Sequence, residues 1–329
     1  MPITTPLTSL LGITHPILSA PMDGIAGARL TAAVSAGGGF GILGGGYGDK
    51  PWLEREIAKL KSCAAPFGIG FITWSMAKQP ELLEIALNAR PRAIMLSFGD
   101  PKPHASRLKA AGSLLICQVQ SEDMAREALD AGADILIAQG TEAGGHGASR
   151  TLIDIVPAVI DLAAGRVPVV AAGGLADGRG LAAMMMLGAA GVMLGTRFYA
   201  SIECDGPEEA KKRICAADSG NSIRSIIFDI SRNNVWPAPF TGRCLINEHA
   251  RRWMGREVEL MQNAAAVVAE YAAAKAAGNF DIAAVIAGEA VGLIHDVPPA
   301  GEIVERISSE ADQILSGRRN FQVAPQRAH

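Results

Sequence analysis

Aromatic residues are scarce in this chain, at 5% of the sequence, and cysteine is limited to five residues. Cys63, Cys117, Cys204, Cys215 and Cys244 form no CxxC pair and no His-containing cluster at metal spacing. That pattern argues against a disulfide framework and a zinc site, and it fits a reducing, cytoplasmic setting with small buried thiols. Lys and Arg form no long run, and the formal net charge is only −3. A nucleic-acid or anionic-membrane partner therefore has no electrostatic support. Long apolar runs are absent too: the most apolar stretch, from Leu181 to Gly195, is interrupted by Gly188 and Gly191 and is too short to span a bilayer. The first residues lack the basic-then-apolar order of a secretory signal.

What is abundant is Ala, Val, Ile, Leu and Met, within a 49% hydrophobic content, and 37 glycines. The glycines cluster after short apolar runs, where backbone must turn or approach a ligand. Strand-like runs at Ile17–Ser19, Phe40–Leu43, Phe67–Phe71, Ala93–Ser97, Leu114–Val119, Ile135–Gln139, Val167–Ala171 and Gly191–Leu194 alternate with helix-like segments. The latter cover Leu30–Ala36, Leu53–Lys61, Glu81–Ala89, His104–Ala111, Asp123–Ala131, Leu152–Ala164 and Gly180–Leu187. Continuous apolar strands in strict alternation with helices predict an α/β fold, specifically a (β/α)₈ TIM barrel. After residue 200 the alternation stops. Residues 201–294 read as a helical insertion after strand eight, including one helix over Glu257–Ala277, and form a lid over the C-terminal face. Residues 1–200 and 295–318 make the barrel, with Glu302–Leu315 as its last helix, and 319–329 a flexible tail.

Several motifs bear on chemistry. The seventh predicted strand runs into Ala172-Gly173-Gly174, and the eighth into Gly195-Thr196 at a helix start. Paired glycine turns at those two strand ends offer free backbone N–H groups, with the Thr196 hydroxyl beside them, as a phosphate cup. After the sixth strand, Gln139, Gly144, Gly145 and His146 lie on a glycine-rich loop above the barrel mouth. A histidine there can act as a base near neutral pH. His15, His104, His249, His295 and His329 have no such setting and read as ordinary polar residues. Ala20-Pro21-Met22 ends strand one, and Gly70 and Trp74 end strand three, where a flat ring could be walled. Taken alone, those residues are better explained by rim and core packing. Gly39 to Gly44 matches GxGxxG formally, but runs along a strand and opens no helix. No lysine ends a barrel strand, so Schiff-base chemistry has no candidate. Asp23, Asp100 and Glu142 stand apart, without pairing for a metal.

These pieces together resemble the nitronate monooxygenases (2-nitropropane dioxygenases), and within them the fungal type. The matching segments are Ser19–Met22, Gly68–Phe71, Ala138–His146, Val170–Gly180, Gly195–Phe198 and Ala290–Ile294, collinear over roughly residues 15–315. The resemblance implies FMN as cofactor and oxidation of alkyl nitronates by O₂ to carbonyl compounds and nitrite. It places Gly173, Gly174, Gly195 and Thr196 on the phosphate, and Ala20, Pro21, Met22, Gln118 and Gln139 along the flavin ring. Gly70, Gly144, Gly145 and Ala172 complete the cofactor-binding set, and His146 matches the catalytic histidine. Trp74, Tyr199, Trp236 and Leu293 are the candidates for the substrate pocket. Partners are then a small molecule and O₂, with homo-oligomerisation left open. An NAD(P)H-dependent FMN reductase acting on quinones or an enoyl thioester is the redox alternative. A phosphosugar isomerase or binding protein using the same cup is the non-redox one.

Overall fold

The computed structural model describes residues 3–318. Eight parallel strands form one sheet: β1 (Ile17–Ser19), β2 (Gly41–Gly44), β3 (Phe67–Ile72), β4 (Ala93–Ser97), β5 (Leu114–Val119), β6 (Ile135–Gln139), β8 (Val169–Ala172) and β9 (Gly191–Leu194). A short additional strand, β7 (Gly145–Gly147), falls between β6 and β8 in the chain and belongs to another sheet. β1 pairs with β9, and the Leu18–Phe40 bridge brings β1 against β2, so the sheet closes on itself. All eight predicted barrel strands are present, most with identical ends.

Alternation along the strands explains why both faces are apolar. Leu18, Ile42, Ala93, Met95, Ile116, Ile135, Ile137, Val170, Ala172 and Met193 fill the barrel interior. Their neighbours Ile17, Leu43, Ile94, Leu96, Leu115, Cys117, Leu136, Val169 and Leu194 pack with the surrounding helices. Helix Pro6–Leu11, absent from the sequence reading, contributes Leu7 and Leu11 to the interior cluster. Thr5 caps it in a capping box with Thr8, and the Thr5 hydroxyl donates to Ala190 O at 2.8 Å. At six residues it carries too little periodicity to be read from sequence.

Polar caps start the barrel helices where the strand ends require them. Ser121 accepts from Met124 N at the start of Glu122–Asp130, and Asp177 accepts from Arg179 N and Gly180 N at the start of Gly178–Met186. The last barrel helix, Ala300–Leu315, lies against Gly178–Met186 so closely that a Cβ on Gly178 would stand 2.6 Å from Ala311 N. That glycine serves helix contact.

The segment 201–294 corrects one expectation. It is helical only in part, because β10 (Ser222–Ser225) and β11 (Thr241–Leu245) form an antiparallel sheet with β7. Both strands are short, and β11 finds its second partner in a strand about a hundred residues earlier, so no local pattern announces them. The expected helix over Glu257–Ala277 is two helices, Glu257–Gln262 and Ala264–Ala276, broken at Asn263. The Asn263 amide donates to Glu259 O at 2.9 Å. No helix among the described residues is long and apolar enough to cross a membrane. The tail expected at 319–329, including His329, lies outside the described residues.

Candidate active site

The residues singled out from sequence come mainly from the C-terminal ends of the barrel strands, where barrel active sites are built. His146 is a correction in detail: it lies in β7, not on a free loop. β7 pairs with β11 so that His146 faces Gly242 across the ladder. A Cβ on Gly242 would stand in ordinary van der Waals contact with the imidazole, 3.5 Å from His146 Nε2.

Two arginines hold this strand in place. The Arg224 guanidinium, from β10, donates to the carbonyls of Thr141, Ala143, Gly145, Gly147 and Thr241. Arg243, from β11, donates to Thr141 O at 3.0 Å and pairs with Glu289 at 2.9 Å. Burial, with Arg243 nearby, pulls the Arg224 pKa down to about 10. Gln139, at the end of β6, adds a third tie: its amide donates to His146 O at 3.2 Å. Its oxygen accepts from Gln118 at 2.8 Å and from Gln120 at 2.7 Å.

His146 is itself buried, and its Nε2 lies 3.0 and 3.1 Å from the two carboxylate oxygens of Asp229. Asp229 sits on helix Ile227–Ser231, and Arg232 at that helix's end donates to it at 2.6 Å. Burial lowers the His146 pKa from its ordinary value, and the hydrogen bond to Asp229 opposes that shift. The imidazole is therefore neutral at pH 7, the form that can accept a proton. One face of the ring stacks on Trp236 at 3.5 Å between centroids and 7° between planes. Tyr47, Trp74, Phe98 and Phe240 meet Trp236 edge-on, with centroids 4.9–6.5 Å away. Trp236 also donates from Nε1 to the Tyr47 hydroxyl at 2.9 Å.

Among the four pocket candidates, Trp74 and Trp236 thus meet beside His146. The other two are placed differently. Tyr199 is 6% exposed in the core, with its ring against Gly206, where a Cβ would stand 2.2 Å from it. Burial pushes its phenol pKa up. Leu293 is 42% exposed on the 3₁₀ helix Glu289–Leu293 and turns its side chain to solvent. The strand-end acids are occupied locally: Glu142 accepts from Leu152 N, and Asp100 from Lys102 N.

Asp229, Arg232, Arg224, Tyr47, Phe98 and Phe240 were not singled out from sequence. A signal existed for Asp229, because Ile226-Ile227-Phe228-Asp229-Ile230 encloses one acid in an apolar run. An acid so placed is buried and needs a partner. The others carry no comparable local mark.

β8, which lies beside β6 in the sheet, and β9 end in the two glycine turns. Gly173 and Gly174 have φ of +113° and +66°, the region that favours glycine. A Cβ on Gly174 would come within 2.9 Å of Glu142 Cβ, and one on Gly173 within 2.9 Å of Ala143 N. Among the described residues the N–H groups of Gly173, Gly174, Gly195 and Thr196 have no protein acceptor. Thr196 Oγ1 accepts from Gly288 N at 2.9 Å, which leaves its own proton free to donate. A Cβ on Gly195 would meet ordinary van der Waals contacts, Ala20 Cβ at 3.6 Å and Met22 Sδ at 4.0 Å, so nothing crowds those donors. Uncommitted donors grouped in this way suit a phosphate monoester. The helix that starts here, Thr196–Tyr199, has four residues, so its dipole contributes little beyond those N–H groups. Gly70 and Gly144 have packing reasons: their Cβ positions lie 2.5 Å from Pro21 and 2.7 Å from Ala287 C.

Comparison with known proteins places this arrangement. The family model for nitronate monooxygenase matches residues 4–82 and 72–310. A nitronate monooxygenase of Neurospora crassa is 33% identical, covering 93% of this chain and 91% of its own. A (3aS,4S,5R,7aS)-5-hydroxy-7a-methyl-1-oxo-octahydro-1H-indene-4-carboxyl-CoA dehydrogenase of Mycobacterium tuberculosis is 30% identical, covering 94% of this chain and 97% of its own. Among solved structures, FabK from Thermotoga maritima superposes with a TM-score of 0.85 at 31% identity, over 97% of this chain and all of that one. With its closed (β/α)₈ barrel and these matches over nearly its whole length, the chain belongs to the nitronate monooxygenase family and is a flavin-type oxidoreductase.

Proposed function

We propose that this protein binds FMN and uses it to oxidise small nitro compounds, alkyl nitronates and their parent nitroalkanes, with O₂, to carbonyl compounds and nitrite. The observation that carries the reading is His146, held neutral by burial inside an aromatic enclosure, on the strand that follows the loop packed against the glycine turns. Gly173, Gly174, Gly195 and Thr196 would hold the FMN phosphate through their free N–H groups and the Thr196 hydroxyl. Ala20, Pro21, Met22, Gly70, Gln118 and Gln139, at the ends of β1, β3, β5 and β6, would border the ring. Bound FMN supplies the redox chemistry, accepting electrons from the substrate and passing them to O₂.

The chain's own contribution is to bind, orient and deprotonate. A nitronate arrives already anionic and needs no base. A neutral nitroalkane must first lose its α-proton: the C–H bond breaks, its electron pair delocalises onto the nitro oxygens, and the proton passes to His146. Trp74, Trp236, Phe98 and Phe240 keep water from the reacting carbon. We infer that segment 201–294, which supplies Trp236 and Asp229, acts as the lid of this site. Five free thiols agree with a reducing, cytoplasmic setting.

The test is a steady-state assay of purified holoenzyme with nitroethane and with ethyl nitronate, following O₂ uptake and nitrite. Yellow protein with turnover of either substrate is the expected result, and no turnover of either refutes the reading. A second reading, an NAD(P)H-linked FMN enzyme acting on a thioester, is favoured by the likeness to the M. tuberculosis CoA dehydrogenase. Rapid anaerobic bleaching of the flavin by NADH or NADPH would select it.

A further inference from the structure

The contact between His146 and Asp229 has a direction. Nε2, and not Nδ1, faces the carboxylate, at 3.0 and 3.1 Å from its two oxygens. Both side chains are almost wholly enclosed, at 7% and 6% exposure, so solvent does not compete for the contact. Arg232 Nη2 donates to Asp229 Oδ1 at 2.6 Å, and the guanidinium also donates to Phe228 O at 3.1 Å, one turn back on the same helix. An ionised carboxylate is acceptor-only and offers Nε2 nothing to accept. Nε2 must therefore supply the proton of the contact. In a neutral imidazole the lone pair then lies on Nδ1. Trp236, parallel to the ring at 3.5 Å between centroids, hinders the turn that would exchange the two nitrogens.

We propose that Asp229 is a positioning residue that locks His146 in the Nε2–H tautomer, with Arg232 orienting Asp229, so that Nδ1 is the atom that takes the substrate proton. This rests on the proton-abstraction reading above. In the step, the α-C–H bond of the carbon acid breaks and an Nδ1–H bond forms. The electron pair stays with the substrate as its nitronate. The imidazolium so produced has its Nε2–H already aimed at a negative charge, which stabilises it where it forms. The charged groups that face His146 are Asp229, Arg232 and Arg224, and only the first favours the imidazolium. Removing its charge therefore leaves two cations opposing proton uptake.

Asp229→Asn separates this from a merely structural role. Arg232 still requires an acceptor, so the amide oxygen turns to it and the NH₂ group faces Nε2. Nε2 must then accept, and the proton moves to Nδ1. The experiment uses holoenzyme labelled with ¹⁵N in histidine, at pH 8, with the His146 signals assigned by their loss in His146→Asn. The wild type should show Nε2 protonated and Nδ1 bare, and Asp229→Asn the reverse. In parallel, kcat/KM for nitroethane should fall roughly 10²–10⁴-fold in Asp229→Asn, the usual worth of a general base. The value for ethyl nitronate, which needs no base, should change less than about tenfold. Asp229→Glu, which keeps a carboxylate, should restore the wild-type tautomer and most of the nitroethane activity. A wild-type spectrum with Nδ1 protonated overturns the proposal. So does an Asp229→Asn variant whose losses on the two substrates are equal. If the wild type turns over neither substrate, the functional reading fails, while the tautomer measurement still decides the role of Asp229. If Asp229→Asn does not fold, the wild-type and Asp229→Glu spectra decide it.

Discussion

Arg224→Met perturbs the frame that presents His146, and its cost can be worked from the contacts. Arg224 donates to five backbone carbonyls, those of Thr141, Ala143, Gly145, Gly147 and Thr241. Thr141 O retains Arg243 as a donor, so four carbonyls lose the bond that Arg224 supplied. An acceptor left short inside a protein costs on the order of 1 kcal/mol or more, which makes the gross loss about 4 kcal/mol. Part of this is offset. The Arg224 pKa, pulled down to about 10, shows that this cation is held at a cost, and methionine removes it. The net expectation is a loss of ~2 kcal/mol in chemical denaturation of the holoenzyme. The catalytic effect should be larger than that figure suggests. β7 carries His146 between Gly145 and Gly147, both tied to this guanidinium, and misplacing a reacting group by about 1 Å can cost on the order of 10²-fold in rate. Arg224→Lys keeps the charge but not the planar fork that reaches several carbonyls at once, so it should recover only part of the stability. A methionine variant with an unchanged denaturation midpoint and unchanged kcat/KM would show that Arg224 does not hold the site.

Other outcomes follow from the same geometry. Gly174→Asp or Gly195→Asp should expel FMN, because a carboxylate would stand where the phosphate charge must lie; stoichiometric flavin in both folded variants would remove the cup assignment. His146→Asn should lower kcat/KM for a neutral nitroalkane by roughly 10²–10⁴-fold and leave flavin content unchanged; no loss on either substrate form takes His146 out of the site. Because burial lowers the His146 pKa, the base is already deprotonated at neutral pH. Nitroalkane turnover should therefore fall only as pH drops below the ordinary histidine value, while a limb centred above it contradicts the assignment. Cys117 and Cys244, buried and with thiol pKa values pushed up to about 12, should resist alkylation in the native protein; rapid labelling of either would show that its surroundings open.

The parts of the molecule legible in the sequence are those set by local pattern. β4, β5 and β6 read as uninterrupted apolar runs because both of their faces are covered, one by the barrel interior and the other by helices. The glycine turn after β8 was legible because positive φ, at Gly173 and Gly174, is a property of the backbone itself. Family resemblance added the cofactor expectation to a cup already visible in the residues. Segment 201–294 was read less well. β10 and β11 are four and five residues long, and their pairing with β7 is a long-range event with no periodic trace.

The sequence alone thus determined the alternating strands and helices of the barrel and pointed to the glycine turns and His146 as candidates, since each is marked by residues close together in the chain. Tertiary structure decided how His146 is oriented. The Asp229 carboxylate lies 83 residues away along the chain, and Trp236, which stacks on the ring, lies 90. Proximity at such separations is created by folding, when β11 closes onto β7 and brings the neighbouring helix and its turn with it. Tyr199 and Leu293 show the converse: both have the residue type expected of a pocket, yet one is enclosed in the core and the other turns to solvent. Side-chain type is written in the chain, but its direction is set by what packs beside it.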